Sequence, residues 1–195
     1  MAKLRQTPSQ TVGPYFAYGL APEQYGYQQT LTSIAGSQMA EGDIEGQRIR
    51  VEGQVFDGNG NVISDALIEI WQADSLGRYS HPSDPRGSNS TFKGFGRCGT
   101  GTDPRNRFWF DTIKPGAVSP GDAPHLNVIV SMRGMLLHAF TRIYFSDEPA
   151  NATDKVLNAV PAERRDTLIA TRHDGGVYRF DIHMQGETET VFFDA

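Results

Sequence analysis

The stretch from Val51 to Asp74, VEGQVFDGNGNVISDALIEIWQAD, constrains the fold of this chain more than any other. Across Arg48 to Asp57, Ile49, Val51, Gly53 and Val55 share one parity and Arg50, Glu52 and Gln54 the other, the period of a half-buried strand. Gly58-Asn59-Gly60-Asn61 follows, built from residues that accept positive φ and so favour a tight reversal. From Ala66 to Trp71 both parities are largely apolar, the pattern of a strand covered on two sides. These residues predict a hairpin at the nucleus of a β-sandwich.

Strand patterns recur at Arg107 to Ile113, His125 to Met132, Met135 to Phe145, Val177 to Met184 and Thr188 to Phe193. Turn residues separate them, including the short Arg133-Gly134 joint. The expected class is all-β, an antiparallel β-sandwich with long loops. One short helix is expected within Asp154 to Ala170, where Pro161 suits a first turn and Leu168 and Ile169 give an apolar stripe. Asp74 to Pro104 is dense in Gly and Pro and reads as loop. Residues 1–47 lack periodicity yet hold four of the seven tyrosines, Tyr15, Tyr18, Tyr25 and Tyr27. They read as an irregular arm that packs on a partner, with residues 48–195 forming the sandwich domain.

A net charge of -5 without a run of Lys or Arg argues against a nucleic-acid footprint. The composition, 38% hydrophobic and 21% charged, is that of a soluble globular protein rather than a membrane-spanning one. Cys98 is the single cysteine, which excludes an internal disulfide and a cysteine zinc cluster. No apolar segment follows the basic N-terminal residues, so a cytoplasmic location is expected.

Five histidines are present, and none forms H-x-H, H-E-x-x-H or H-x₃-H. His138 and His183 fall inside strand patterns and read as structural, while His81 and His173 fall in loops. His125 opens a strand after Pro124, a position that suits a ligand or a structural turn. No nucleophile elbow and no nucleotide-binding glycine fingerprint occurs, and Cys98 beside Arg97 is a weak thiol candidate. Arg133 lies at the tip SMRGML with no ion-pair partner in easy sequence reach, suited either to forking onto a carboxylate or to solvent.

Several ordered motifs add a resemblance: TPSQTVGPY at 7–15, GQVFDGNGNVISDALIEIWQAD, Gly77-Arg78-Tyr79, Phe95-Gly96-Arg97, TIKPG at 112–116, RIYF at 142–145 and YRFDI at 178–182. Together they resemble the intradiol ring-cleaving dioxygenases, which implies a prealbumin-like sandwich. In that family a ferric ion is held by two tyrosinates and two histidines, the latter as H-x-H after R-P-A, with one tyrosine just past T-I-K-P-G. Here the stretch reads Ala123-Pro-His-Leu-Asn-Val128, which puts Leu126 and Val128 at the ligand positions. Ala117, Val118 and Ser119 follow the turn, and no tyrosine lies between His81 and Phe92 where the other is expected.

The resemblance therefore implies the iron-free half of a heteromer, with Fe(III) on a homologous β chain and αβ units gathered in a higher oligomer. It implies no catalytic or metal residue in this chain. Carried over by motif, Thr11, Gly13, Pro14 and Tyr15 line the substrate pocket. The resemblance likewise implies that Arg133 helps to hold the carboxylate of the substrate, protocatechuate, which the heteromer would cleave with O₂ to 3-carboxy-cis,cis-muconate. Two other readings stay open, a non-catalytic β-sandwich binding module and a self-contained metal site using His125, His138 and Tyr79.

Overall fold

The computed structural model describes residues 5–13, 15–27, 35–87 and 91–194. Its strands are β1 (Arg48–Phe56), β2 (Leu67–Trp71), β3 (Phe95–Gly99), β4 (Arg107–Ile113), β5 (His125–Ser131), β6 (Ala139–Phe145), β7 (Ile169–Arg172), β8 (Val177–Arg179) and β9 (Ile182–His183). They run in the order β3-β2-β5-β6-β7-β8-β1-β4, with β9 beside β1. The sheet curls so that its two ends share one core, Ile49, Val51, Phe108 and Phe110 from one end meeting Ile68, Ile70, Val128 and Val130 from the other.

The all-β class is as expected, and the strands form one continuous curled sheet. Short β7 joins its halves, lying parallel to β6 and antiparallel to β8. β1 also runs parallel to β8 and β9. Among the described residues no helix is long and apolar enough to cross a membrane.

The reversal after β1 forms, and the hairpin does not. Asp57 accepts from the backbone N–H of Asn59 and Asn61, and Asp57 N–H donates to the Asn61 carbonyl at 2.9 Å. Pairing with β1 then stops at the single bridge Phe56–Val62. β2 crosses to the other half of the sheet and inserts between β3 and β5. An interior position is what its two apolar faces require.

Three other expectations change. β3 lies inside the stretch read as loop; Gly96 passes so close to Met39 that a Cβ would sit 2.4 Å from its sulfur. The single expected helix splits at Pro161 into α2 (Lys155–Ala159) and a 3₁₀ segment, Ala162–Leu168, because Val160 before the proline is extended. Thr188 to Phe193 is no strand: it meets β6 at the bridge Phe140–Phe193 and at Thr141, whose hydroxyl donates to the Val191 carbonyl at 2.7 Å.

The arm carries a short helix, α1 (Phe16–Leu20), which nothing in its periodicity announces. Behind it Gln24 pairs with both backbone groups of Gly99, donating to the carbonyl at 2.7 Å and accepting from the N–H at 2.8 Å. Tyr25 packs edge-on to Tyr18, and Tyr15 and Tyr27 stay exposed.

Candidate functional site

Strand β5 decides which residues can face a ligand, because alternate side chains leave it on opposite sides. Leu126 and Val128 are fully buried in the shared core and meet no ligand. The ligand positions inferred from the motif are therefore one residue out of register: His125 and Asn127 occupy the opposite parity. Leu126, Val128 and Val130, apolar on one parity, were the signal for this. Tyr79 reaches the same place from the loop after β2. Its ring stacks on Trp71 at 5.6 Å and its hydroxyl accepts from Asn127 Nδ2 at 3.1 Å. The phenol thus lies just ahead of the interval where the resemblance expects one.

Two loops are clamped together to build this end of the sheet. Gly116 N–H donates to the Asp74 carbonyl, and at Gly77, with φ +77°, a Cβ would stand 1.9 Å from the carbonyl oxygen of Ala117. Asp84 turns the neighbouring loop by accepting from Tyr79 N–H and from Arg86, contacts that hold its carboxyl well below the usual range. Arg86 then donates to the Val118 carbonyl at 2.8 Å, closing the side where the resemblance expects a second phenol. A shallow recess of about 350 Å³ remains, lined by Trp71, Tyr79, His81, Asp84, Pro85 and Arg86.

The donors here do not fit a ferric ion. Desolvation raises the Tyr79 phenol, against the hydrogen bond from Asn127 and the charges of Arg142 and Arg86. His125 is buried, with only 6% of its surface exposed, and its Nδ1–H donates to the Ala123 carbonyl at 2.8 Å. Burial pushes its pKa down, so the ring is neutral. One phenol, one imidazole and one amide stand where two phenolates and two imidazoles are needed, and an amide is a poor partner for Fe(III). His138 does not join them. It is exposed and stacks edge-on to Phe140, just ahead of β6, whose far end pairs Tyr144 with His125, roughly 20 Å away at strand rise. Cys98 is buried in β3, its thiol pushed up to about 11 by desolvation, which removes it as a nucleophile.

Two of the residues expected to touch substrate, Thr11 and Arg133, lie beyond the opposite end of β5. Thr11 Oγ1 accepts from Gly134 N–H at 2.8 Å, tying the arm to the tip beside Arg133. A Cβ added at Gly13 would meet nothing within 4 Å among the described residues beyond its chain neighbours. Tyr15 is 78% exposed, and Pro14 lies outside the described residues. Arg133 is exposed but not unpaired: its Nε donates to Asp65, a partner 68 positions away that no local pattern could reveal. Between arm and tip runs a groove of about 320 Å³ lined by Val12, Phe16, Met132, Met135 and Leu137. Leu136 and Leu137 beside it are 64% and 67% exposed. The ends of β5 are separated by six residue steps, roughly 20 Å.

The chain is similar to several known proteins. The Dioxygenase_C model, described as dioxygenase, matches residues 13–186. The protocatechuate 3,4-dioxygenase alpha chain of Burkholderia cepacia is 55% identical over 199 residues, covering 100% of both chains. The protocatechuate 3,4-dioxygenase beta chain of the same organism is 35% identical over 166 residues, 76% of this chain and 69% of that one. Among solved structures, the dioxygenase domain of a carbohydrate-binding fusion from Streptomyces sp. SirexAA-E superposes with a TM-score of 0.61 at 23% identity, over 91% of this chain and 97% of that one.

Proposed function

Because this chain belongs to the intradiol dioxygenase family, we propose that it is the iron-free α subunit of a heteromeric protocatechuate 3,4-dioxygenase. The observation that carries the reading is the separation along β5. Arg133 and the arm lie at one end and Tyr79, His125 and Asn127 at the other, so a substrate held by Arg133 is out of reach of this chain's own phenol and imidazole. A pocket that uses Arg133 is completed by a second chain, and the relative of β-chain type supplies the scaffold for one.

In this reading the ferric ion sits on the β chain and, when bound, activates the catecholate toward O₂ for cleavage between its two hydroxylated carbons. This chain's part is orientation and shielding. Arg133 attracts and aligns the ring carboxylate, a charge-assisted contact that fixes which edge of the ring enters first. Thr11, Gly13, Pro14 and Tyr15 form a wall. Tyr15, Leu136 and Leu137 lose their exposure against the β chain, which keeps water from the pocket. The arm of residues 1–47 is the partner-facing unit, αβ units assemble further, and a reducing cytoplasm suits the lone buried Cys98.

Iron and oxygen uptake test the assignment. The chain purified alone is expected to hold no stoichiometric iron and to consume no O₂ with protocatechuate. Co-expressed with a β chain, it should yield a complex with iron in proportion to that chain. Iron and turnover in the isolated chain would overturn the reading. Within the complex, Arg133→Ala is expected to raise KM for protocatechuate by roughly 10- to 100-fold, the worth of a hydrogen-bonded charge pair, with iron content and assembly unchanged.

A further inference from the structure

The ion pair at the β5–β6 tip is one-sided. Arg97 gives both Nε and Nη2 to Glu69, and Arg107 gives both to Asp103, whereas Arg133 gives Asp65 its Nε alone. Among the described residues no hydrogen bond occupies Nη1 or Nη2 of Arg133. The anchor is firm on its own side. Asp65 precedes Ala66, whose N–H donates to Thr100 Oγ1 and whose carbonyl accepts from Thr100 N–H at 2.9 Å. Its carboxylate therefore stands on backbone fixed at the entry to β2. Arg133 stands on an exposed tip, and its neighbour Gly134 is held by Thr11.

We infer that Asp65 is a positioning residue for the substrate carboxylate: it holds the Nε edge of Arg133 so that the Nη1/Nη2 end presents a ready fork to the aromatic acid. The inference rests on the reading of Arg133 given above. A free arginine samples many rotamers and loses that freedom on binding, whereas one held at Nε has already lost most of it. The Nη pair matches a carboxylate with two parallel hydrogen bonds. A second effect has the opposite sign, since the charge of Asp65 opposes an incoming carboxylate; at an exposed site that repulsion is screened by solvent and salt.

Variants of the assembled αβ complex separate the two effects. Asp65→Ala is expected to raise KM for protocatechuate about 5-fold, within the range of coupling between contacting side chains, with kcat unchanged. Catechol, which lacks the carboxylate, should show no change in KM. Asp65→Asn keeps an oxygen to accept the Nε–H without the charge, and is expected to stay within about 2-fold of the parent on both substrates. In the double variant with Arg133→Ala, the Asp65 substitution should add nothing further.

A KM for protocatechuate that is unchanged or lowered in Asp65→Ala overturns the inference, since Asp65 is then only a neutralising charge. An equal rise with catechol also overturns it, since the role is then structural. The Arg133→Ala single variant tells the two failures apart: if its own KM is unmoved, the reading of Arg133 falls as well, and if it rises while Asp65→Ala does not, the Asp65 inference falls alone.

Discussion

Gly53→Ala is expected to yield no soluble folded chain. A Cβ at Gly53 would stand 1.7 Å from the carbonyl oxygen of Phe180 and 2.6 Å from its carbonyl carbon. Neither backbone can yield. Phe180 N–H donates to the Glu52 carbonyl at 2.9 Å, and Gln54 N–H donates to Asp181 Oδ1 at 2.9 Å, so the two chains are fastened on both sides of the collision. Phe108 closes the remaining direction at 3.0 Å. Overpacking against movable side chains costs about 1–3 kcal/mol. Here the collision is with backbone, and the expected loss exceeds roughly 4 kcal/mol, a large share of a domain's stability. Gly60→Ala is the control: its φ is +79° with nothing within 4 Å, so only conformational strain of about 1 kcal/mol is expected. Soluble yield and thermal melting read both; a Gly53→Ala chain melting within a few degrees of the parent would refute the tight crossing.

Asp154→Ala comes next. The residue is 1% exposed and its carboxylate accepts from Ala123 N–H and Leu157 N–H, each at 2.8 Å, and from the Tyr144 hydroxyl at 3.1 Å. One acceptor thus caps α2, holds the turn before β5 and satisfies a buried phenol. Its removal leaves three buried donors without partners, and a loss of about 3–5 kcal/mol is expected in denaturant unfolding.

The same group shapes the acid limit of the fold. Desolvation pushes the Asp154 pKa up, but the three hydrogen bonds outweigh it and the carboxyl ends below its ordinary range. A lowered folded pKa means the unfolded chain binds the proton more readily in acid. The contribution is fully present above the unfolded value, near 3.8, and is lost as pH falls through the folded one. His125 acts earlier. Burial lowers its pKa from 6.5, so the unfolded chain protonates first and stability begins to decline as pH drops below that value. Melting temperature against pH should therefore fall in two stages, and Asp154→Asn should be less stable at pH 7 yet show a shallower second stage. An equal slope in parent and variant would remove Asp154 from the account.

How much of this was legible depended on where each residue's partner lies. β1 could be read because its partners enforce strict alternation: one parity is core, and the other carries Arg50 against Asp111 and Glu52 against Arg107. β3 could not, because its glycines make room for Met39 and Tyr25, residues of the arm more than fifty positions upstream. The turn at Gly58 to Asn61 was local and visible, while the crossing of β2 to the far half of the sheet depends on β5, which comes much later. At the candidate site the polar parity of β5 was present in the sequence and could have placed Asn127. Asp65 carried no signal, since only the folded chain brings it to Arg133.

The alternation of β5 has a further consequence. Leu126 and Val128 sit in the shared core, whereas Asn127 on the other side bonds the Tyr79 hydroxyl, so a substitution at Asn127 reaches the candidate site without emptying the core. A chain of this kind can be silenced without being unfolded. In the proposed reading, what is left is a sound scaffold whose arm and tip serve a site housed in another molecule.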